Sequence, residues 1–73
     1  MIKHSITINK HKTSISLEND FWIELKIAAE ELNVSINNLV SKIDKERNIN
    51  NIGLSSSIRI WIIQRLKNKI KFD

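Results

Sequence analysis

The sequence predicts a mainly α-helical domain that opens on a short N-terminal β-strand and ends on an extra C-terminal helix. Three observations predict it. Apolar residues alternate over 13–17, they recur at helical spacing from Phe21 onward, and the 73 residues include no cysteine, no proline and one glycine. A chain of this length buries only about 60% of its unfolded surface. Domains this small add disulfides, a metal or oligomerisation to hold a core. Without cysteine, the disulfide and thiolate–metal routes are closed. Association of two copies, a homodimer, is the route that remains.

The strand comes first. Thr13, Ile15 and Leu17 fall on one face of an alternating segment, with Lys12, Ser14 and Ser16 on the other. Such alternation with β-branched residues predicts a half-buried strand over 12–17. A shorter alternation at 5–8 offers an extra strand. Across an Asn9-Lys10 turn it would set Ile8 opposite His11 and Ile6 opposite Thr13. The strand 12–17 left alone has bare edges. Pairing with its own copy across a two-fold axis would give an intertwined homodimer sharing a two-stranded antiparallel ribbon.

At Phe21 the period changes. Phe21, Leu25, Ala28 and Leu32 recur at i, i+4, i+7 and i+11, widened by Trp22 and Ala29, which predicts a helix over 20–32. Asn19 or Asp20 is its expected cap, and Asn33 sits where a left-handed residue ends a helix. Ser35 caps a second helix over 35–47, whose stripe is Ile36, Leu39, Val40 and Ile43. A loop over 48–53 holds the single glycine, Gly53, where positive φ is most useful. Ser55 or Ser56 then caps a third helix over 55–70. Ile58, Ile60, Trp61, Ile62 and Ile63 make that helix apolar nearly all round, so burial on several sides is expected. The whole chain reads as a single domain over 1–73.

Charge is segregated. Lys3, Lys10 and Lys12 stand without an acid in residues 1–17. Glu18, Asp20, Glu24, Glu30 and Glu31 face only Lys26 in 18–31, and basic residues return from Arg59 onward. The net +4 therefore has basic ends and an acidic middle. This layout points to a polyanion partner or to a solvated surface in a lysine-rich proteome. Ile, Asn and Lys, all with AT-rich codons, make 15, 9 and 9 of the residues, which discounts part of the lysine signal. The longest purely apolar run is 60–63, far short of a membrane span. Residues 1–5 lack the apolar stretch of a signal peptide. A cytoplasmic protein with no membrane partner is the expectation.

No catalytic constellation is present. The chain has no cysteine, no nucleophile elbow and no glycine-rich phosphate loop, and its carboxylates cluster without a histidine partner. His4 and His11 have no third ligand near in sequence, so neither a metal nor a cofactor is expected. Phe21, Trp22 and Trp61 lie at helical spacing beside Leu25 and Ile58, which makes them core residues before base-stacking ones.

The residues then resemble a known family, the ribbon-helix-helix DNA-binding proteins, relatives of the Arc and Met repressors. More narrowly they are similar to a short stand-alone bacterial branch. The likeness rests on Ser5-Ile6-Thr7, on His11-Lys12-Thr13-Ser14-Ile15-Ser16-Leu17-Glu18 and on the aromatic pair Phe21-Trp22. It continues through Val34-Ser35-Ile36-Asn37-Asn38-Leu39-Val40 and Leu54-Ser55-Ser56-Ser57-Ile58-Arg59, and so covers roughly residues 3–66. Two departures stand out: Asn33 replaces the glycine usual before the second helix, and Lys12 replaces an arginine. A lysine lacks the bidentate fork that reads guanine.

The resemblance implies a homodimeric transcription regulator, a repressor, bound to double-stranded DNA. Its ribbon would lie in the major groove and its second helices would hold phosphates by their N-termini. Carried onto this chain, Lys12, Ser14 and Ser16 become base-facing, against the plainer reading of solvent-facing strand serines. Lys10, His11, Ser35, Ile36 and Asn37 become phosphate contacts. Ile15, Leu17, Leu39, Ile43, Ile58, Trp61 and Ile62 become the dimer core. Apart from the resemblance, Lys67, Lys69 and Lys71 are expected to touch the DNA backbone or acidic partners, or simply to solvate the end. Glu18, at the ribbon's end, would repel phosphate if it pointed outward. The alternative is a protein-interaction module of the same fold, whose helices bind a protein partner as an antitoxin does.

Overall fold

A computed structural model describes residues 1–46 and 52–69 of the chain. Two antiparallel strands, β1 (Ile2–Ile8) and β2 (His11–Leu17), form a hairpin. Three helices follow: α1 (Asn19–Leu32), α2 (Ile36–Glu46) and α3 (Leu54–Lys69). Most of the loop expected at 48–53, and the expected helical residues Arg47 and Ile70, lie outside the described residues, as does Lys71. No helix among the described residues is long and apolar enough to cross a membrane.

The strand of 12–17 is not alone. Its partner is the segment just before it, and the register runs from Ile2 opposite Leu17 through His4 opposite Ile15 and Ile6 opposite Thr13 to Ile8 opposite His11. The two residues left over, Asn9 and Lys10, both have positive φ, 51° and 68°. Positive φ at both central residues is the mark of a type I′ turn, whose twist matches that of the strands. Asn tolerates this region; lysine pays about 1–2 kcal/mol for it. Lys10→Gly is therefore expected to stabilise the fold by about 1 kcal/mol, raising Tm by about 4–8 °C on thermal denaturation.

The core lies between the hairpin and the helices. Ile6, Ile15 and Leu17 meet Leu25, Ala28 and Ala29 of α1, Leu39, Val40 and Ile43 of α2, and Ile58 and Ile62 of α3. Phe21, Trp22, Ile36 and Trp61 pack against this cluster half-buried. Of the residues expected in a dimer core, all but Trp61 are buried inside one chain, where β1 packs on α2 and α3 packs on α1, α2 and β2. Burial of α3 on every side is not observed, since Ile60 and Ile63 stay exposed opposite its Ile58–Ile62 face. Leu32 is exposed as well, and Ala29 takes its place in the stripe of α1.

The helix ends explain the remaining differences. Neither Asn19 nor Asp20 caps α1. Glu18 stands at that position in extended conformation and makes no side-chain cap bond, because its carboxylate is bound elsewhere. At the other end Asn33 is left-handed (φ 59°, ψ 42°). Its amide donates to Glu30 O, and Val34 donates to Ala29 O at 3.0 Å, the paired bonds of a Schellman ending. Ser35 Oγ accepts the Asn38 amide at 3.0 Å and so caps α2. α3 is not capped by Ser55 or Ser56, which lie within its first turn. Gly53 precedes that turn without positive φ, and its carbonyl accepts from Ser57 N and Ser57 Oγ.

Candidate nucleic-acid interface

A strand turns successive side chains to opposite faces. With Ile6, Ile15 and Leu17 fixed inward, the outward face of the hairpin follows from the register. β1 contributes Lys3, Ser5 and Thr7, opposite Ser16, Ser14 and Lys12 of β2 respectively. All are exposed except Ser16, which is half-buried. The face thus carries two cations, four hydroxyls and no acid. The base-facing trio expected from β2 does share one face, and β1 adds an equal row beside it.

The strand edges are equally informative. On β1, Thr7 turns its amide away from β2 and donates it to Asn37 Oδ1 in the first turn of α2, at 3.3 Å. This bond fixes the start of α2 at the outer edge of β1, beside the polar face. Ile36 and Asn37 are the first two residues of that helix, whose amides a helix leaves without internal acceptors and whose dipole favours an anion. On β2, the Ser16 carbonyl points outward, where Arg59 Nη2 reaches it at 3.5 Å. Backbone groups alternate along an antiparallel strand. Lys12 and Ser14 therefore turn their amides and carbonyls to that same edge, with no partner among the described residues.

The residues expected on phosphate do not all gather there. Lys10 sits at the exposed tip of the hairpin and Ser35 at the cap of α2. The Asn37 side chain holds Thr7, leaving its backbone amide as the group available to an anion. Ile36 is half-buried against the core. His11 lies on the opposite face from Lys12. It lines a groove between β2 and the first turn of α3, near Asp44.

Glu18 and its neighbourhood were not legible in sequence. Arg59 Nε donates to Glu18 Oε1 at 2.8 Å, and the guanidinium lies 5.9 Å from the Phe21 ring centroid. One arginine on α3 thereby ties the end of β2 to the start of α1. The Arg59 bond, followed by Glu18's own amide, holds the Glu18 carboxyl below its ordinary value of 4.5. Its charge is answered by Arg59 and is not left to repel phosphate. At the far end of α1, Glu31 Oε1 accepts from Lys69 Nζ at 2.7 Å and also from Arg65, which lowers its pKa from 4.5 in turn. Lys69, expected on DNA or in solvent, is engaged in this pair. These contacts set α3 alongside α1, pointing the same way.

Two lowered carboxyls give a signed pH dependence. Ionised Glu18 and Glu31 are favoured in the folded chain, so their contribution is complete above about pH 4.5 and is lost as pH falls through the lowered values. Glu31→Gln is expected to lower Tm slightly near neutrality and to converge with the wild type at low pH, which flattens the acid limb of Tm against pH. An unchanged acid limb would refute this account.

His4 stacks on Trp22 with ring centroids 3.6 Å apart and planes 8° from parallel, and its buried Nε2 has no hydrogen-bond partner. The stack ties β1 to α1 from the face opposite Lys3.

A protein-family model described as "Ribbon-helix-helix domain" matches residues 1–66 of the chain. Neither the comparison with curated proteins nor that with solved structures gives a match.

Proposed function

The chain belongs to the ribbon-helix-helix family, whose members are generally DNA-binding transcription regulators or antitoxins, and on that premise we propose that it is a homodimeric, double-stranded DNA-binding repressor of transcription. One observation carries the reading: an exposed hairpin face holding Lys3 and Lys12 among hydroxyls, free of acids, with the N-terminus of α2 bonded to its edge. Strands in a major groove read base edges with such side chains, and a helix N-terminus beside them holds phosphate.

The dimer in this reading joins through the open edge of β2. Pairing β2 with the β2 of a second copy across a two-fold axis satisfies the amides and carbonyls at Lys12 and Ser14. The result is a four-stranded antiparallel sheet, β1-β2-β2-β1, with one continuous polar face. Lys12, Ser14 and Ser16 then lie at its centre as the base-facing set. Lys10 and the α2 amides at Ile36 and Asn37 lie toward the phosphates.

The test is duplex binding by fluorescence anisotropy, with selection of bound sequences from a random duplex pool. Lys12→Ala and Ser14→Ala are expected to weaken binding and relax the selected sequence while leaving the dimer intact by sedimentation. A stable monomer at micromolar concentration would sink the dimer reading. A second reading, a protein-binding or antitoxin module, is favoured by the exposed Ile60 and Ile63 on α3. Absence of salt-sensitive binding to any duplex would move the conclusion there.

A further inference from the structure

Resting on the DNA-binding reading above, we infer that β1 is a phosphate rail: Lys3, Ser5 and Thr7 grip the two walls of the groove while the β2 row reads bases. Width decides this. Strands lie about 4.8 Å apart, so the four-stranded sheet spans about 14 Å between its outer backbones. The major groove is about 12 Å wide, and it admits a two-stranded ribbon. The two central strands fit within the groove; the outer two cannot follow them to full depth. They come to rest over the sugar–phosphate walls.

β1 has what such a position needs. Its outward row is one cation and two hydroxyls, all exposed. These groups donate to phosphate oxygens without discriminating bases. The strand is also held in place and cannot peel away to let β2 pass. Ile6 is buried in the core, His4 stacks on Trp22, and the Thr7 amide is bound to Asn37. That last bond puts the start of α2 immediately outside β1. Moving outward from the two-fold axis, the molecule then presents base-reading side chains, a row of phosphate donors, and a helix N-terminus. A ribbon built of one strand from each chain has no middle row.

The prediction separates the two strands by the kind of loss each substitution causes. Full-length Lys3→Ala is measured against a panel of unrelated duplexes over a salt series, beside Thr7→Ala and Lys12→Ala. Lys3 is exposed, and an unchanged far-ultraviolet circular dichroism spectrum and Tm confirm that the variant folds. Each lost phosphate contact makes the salt slope shallower by about 0.9. For the two copies in a dimer, wild-type affinity should fall about ten-fold more than that of Lys3→Ala between about 50 and 200 mM salt. The loss should be equal on every duplex, and sequences selected from a random pool should match those of the wild type. Thr7→Ala should weaken binding uniformly and leave the slope unchanged.

Two outcomes overturn the rail. A shifted base preference in Lys3→Ala or Thr7→Ala would mean that the chain's own hairpin enters the groove and β1 reads bases. Unchanged affinity and slope in Lys3→Ala, while Lys12→Ala still weakens binding, would place β1 off the DNA. Wild-type protein that binds no duplex at low salt would instead remove the DNA-binding reading, and the rail with it.

Discussion

Ile58→Ala is expected to destabilise the fold by about 2–5 kcal/mol. For a chain of this length the total is about 4–11 kcal/mol, so one substitution removes a large share of it. Ile58 is 0% exposed and belongs to the cluster that joins hairpin, α1, α2 and α3. Truncating it leaves a void that neighbours from several elements cannot all close. The control is two residues away. Ile60 is 47% exposed on the opposite side of the same helix, and Ile60→Ala should stay within about 0.5 kcal/mol. Urea denaturation at matched protein concentration checks both. Equal losses at the two positions would mean that α3 buries its outer face as well, as its all-round apolar sequence suggests.

Duplex binding is expected to weaken about a hundred-fold between about 50 and 200 mM salt. Lys3 and Lys10 of each chain place four phosphate-facing cations along the sheet of a dimer, and four neutralised phosphates give a slope of about −3.6 in log affinity against log salt. The outward row itself holds no acid, and two nearby carboxylates are answered: Glu18 is paired with Arg59, and Glu31 with Lys69 and Arg65. Lys12→Ala is expected to act differently from Lys3→Ala, with a larger loss on the selected sequence than on unrelated ones. A slope shallower than about −2 would mean that the outward face is not the contact surface, whatever else the protein binds.

Much of this architecture is legible in the amino-acid sequence alone. Alternation over 5–8 and 13–17 carried the hairpin and its register, because period two is a direct record of which face is buried. Stripes at helical spacing carried α1 and α2, and Ser35 and Asn33 marked the break between them. What stayed hidden depends on partners far apart in the chain. Glu18 fails to act as a side-chain cap because Arg59, forty-one positions later, holds its carboxylate. Three consecutive serines at 55–57 gave no reason to prefer one as a cap, and the carbonyl of Gly53 anchors the turn instead. The exposed face of α3 could not be told from its buried face when both are isoleucine. The outward row of β1 was missed for a simpler reason. Lys3, Ser5 and Thr7 join Lys12, Ser14 and Ser16 only once the hairpin is known to form within one chain, and a strand pairing with its own copy was an equally good use of the same residues.

The open edge of β2 has a consequence outside recognition. Unpaired strand edges are templates for indiscriminate stacking, and in the single chain this one is uncovered among the described residues. Lys12 lies on that strand, and its like charges would face one another in many stacked registers. The same lysine that would meet DNA thus acts as a gatekeeper against aggregation of the free chain. Replacing it with an aliphatic residue should hasten aggregation of the free chain even where the fold is unharmed.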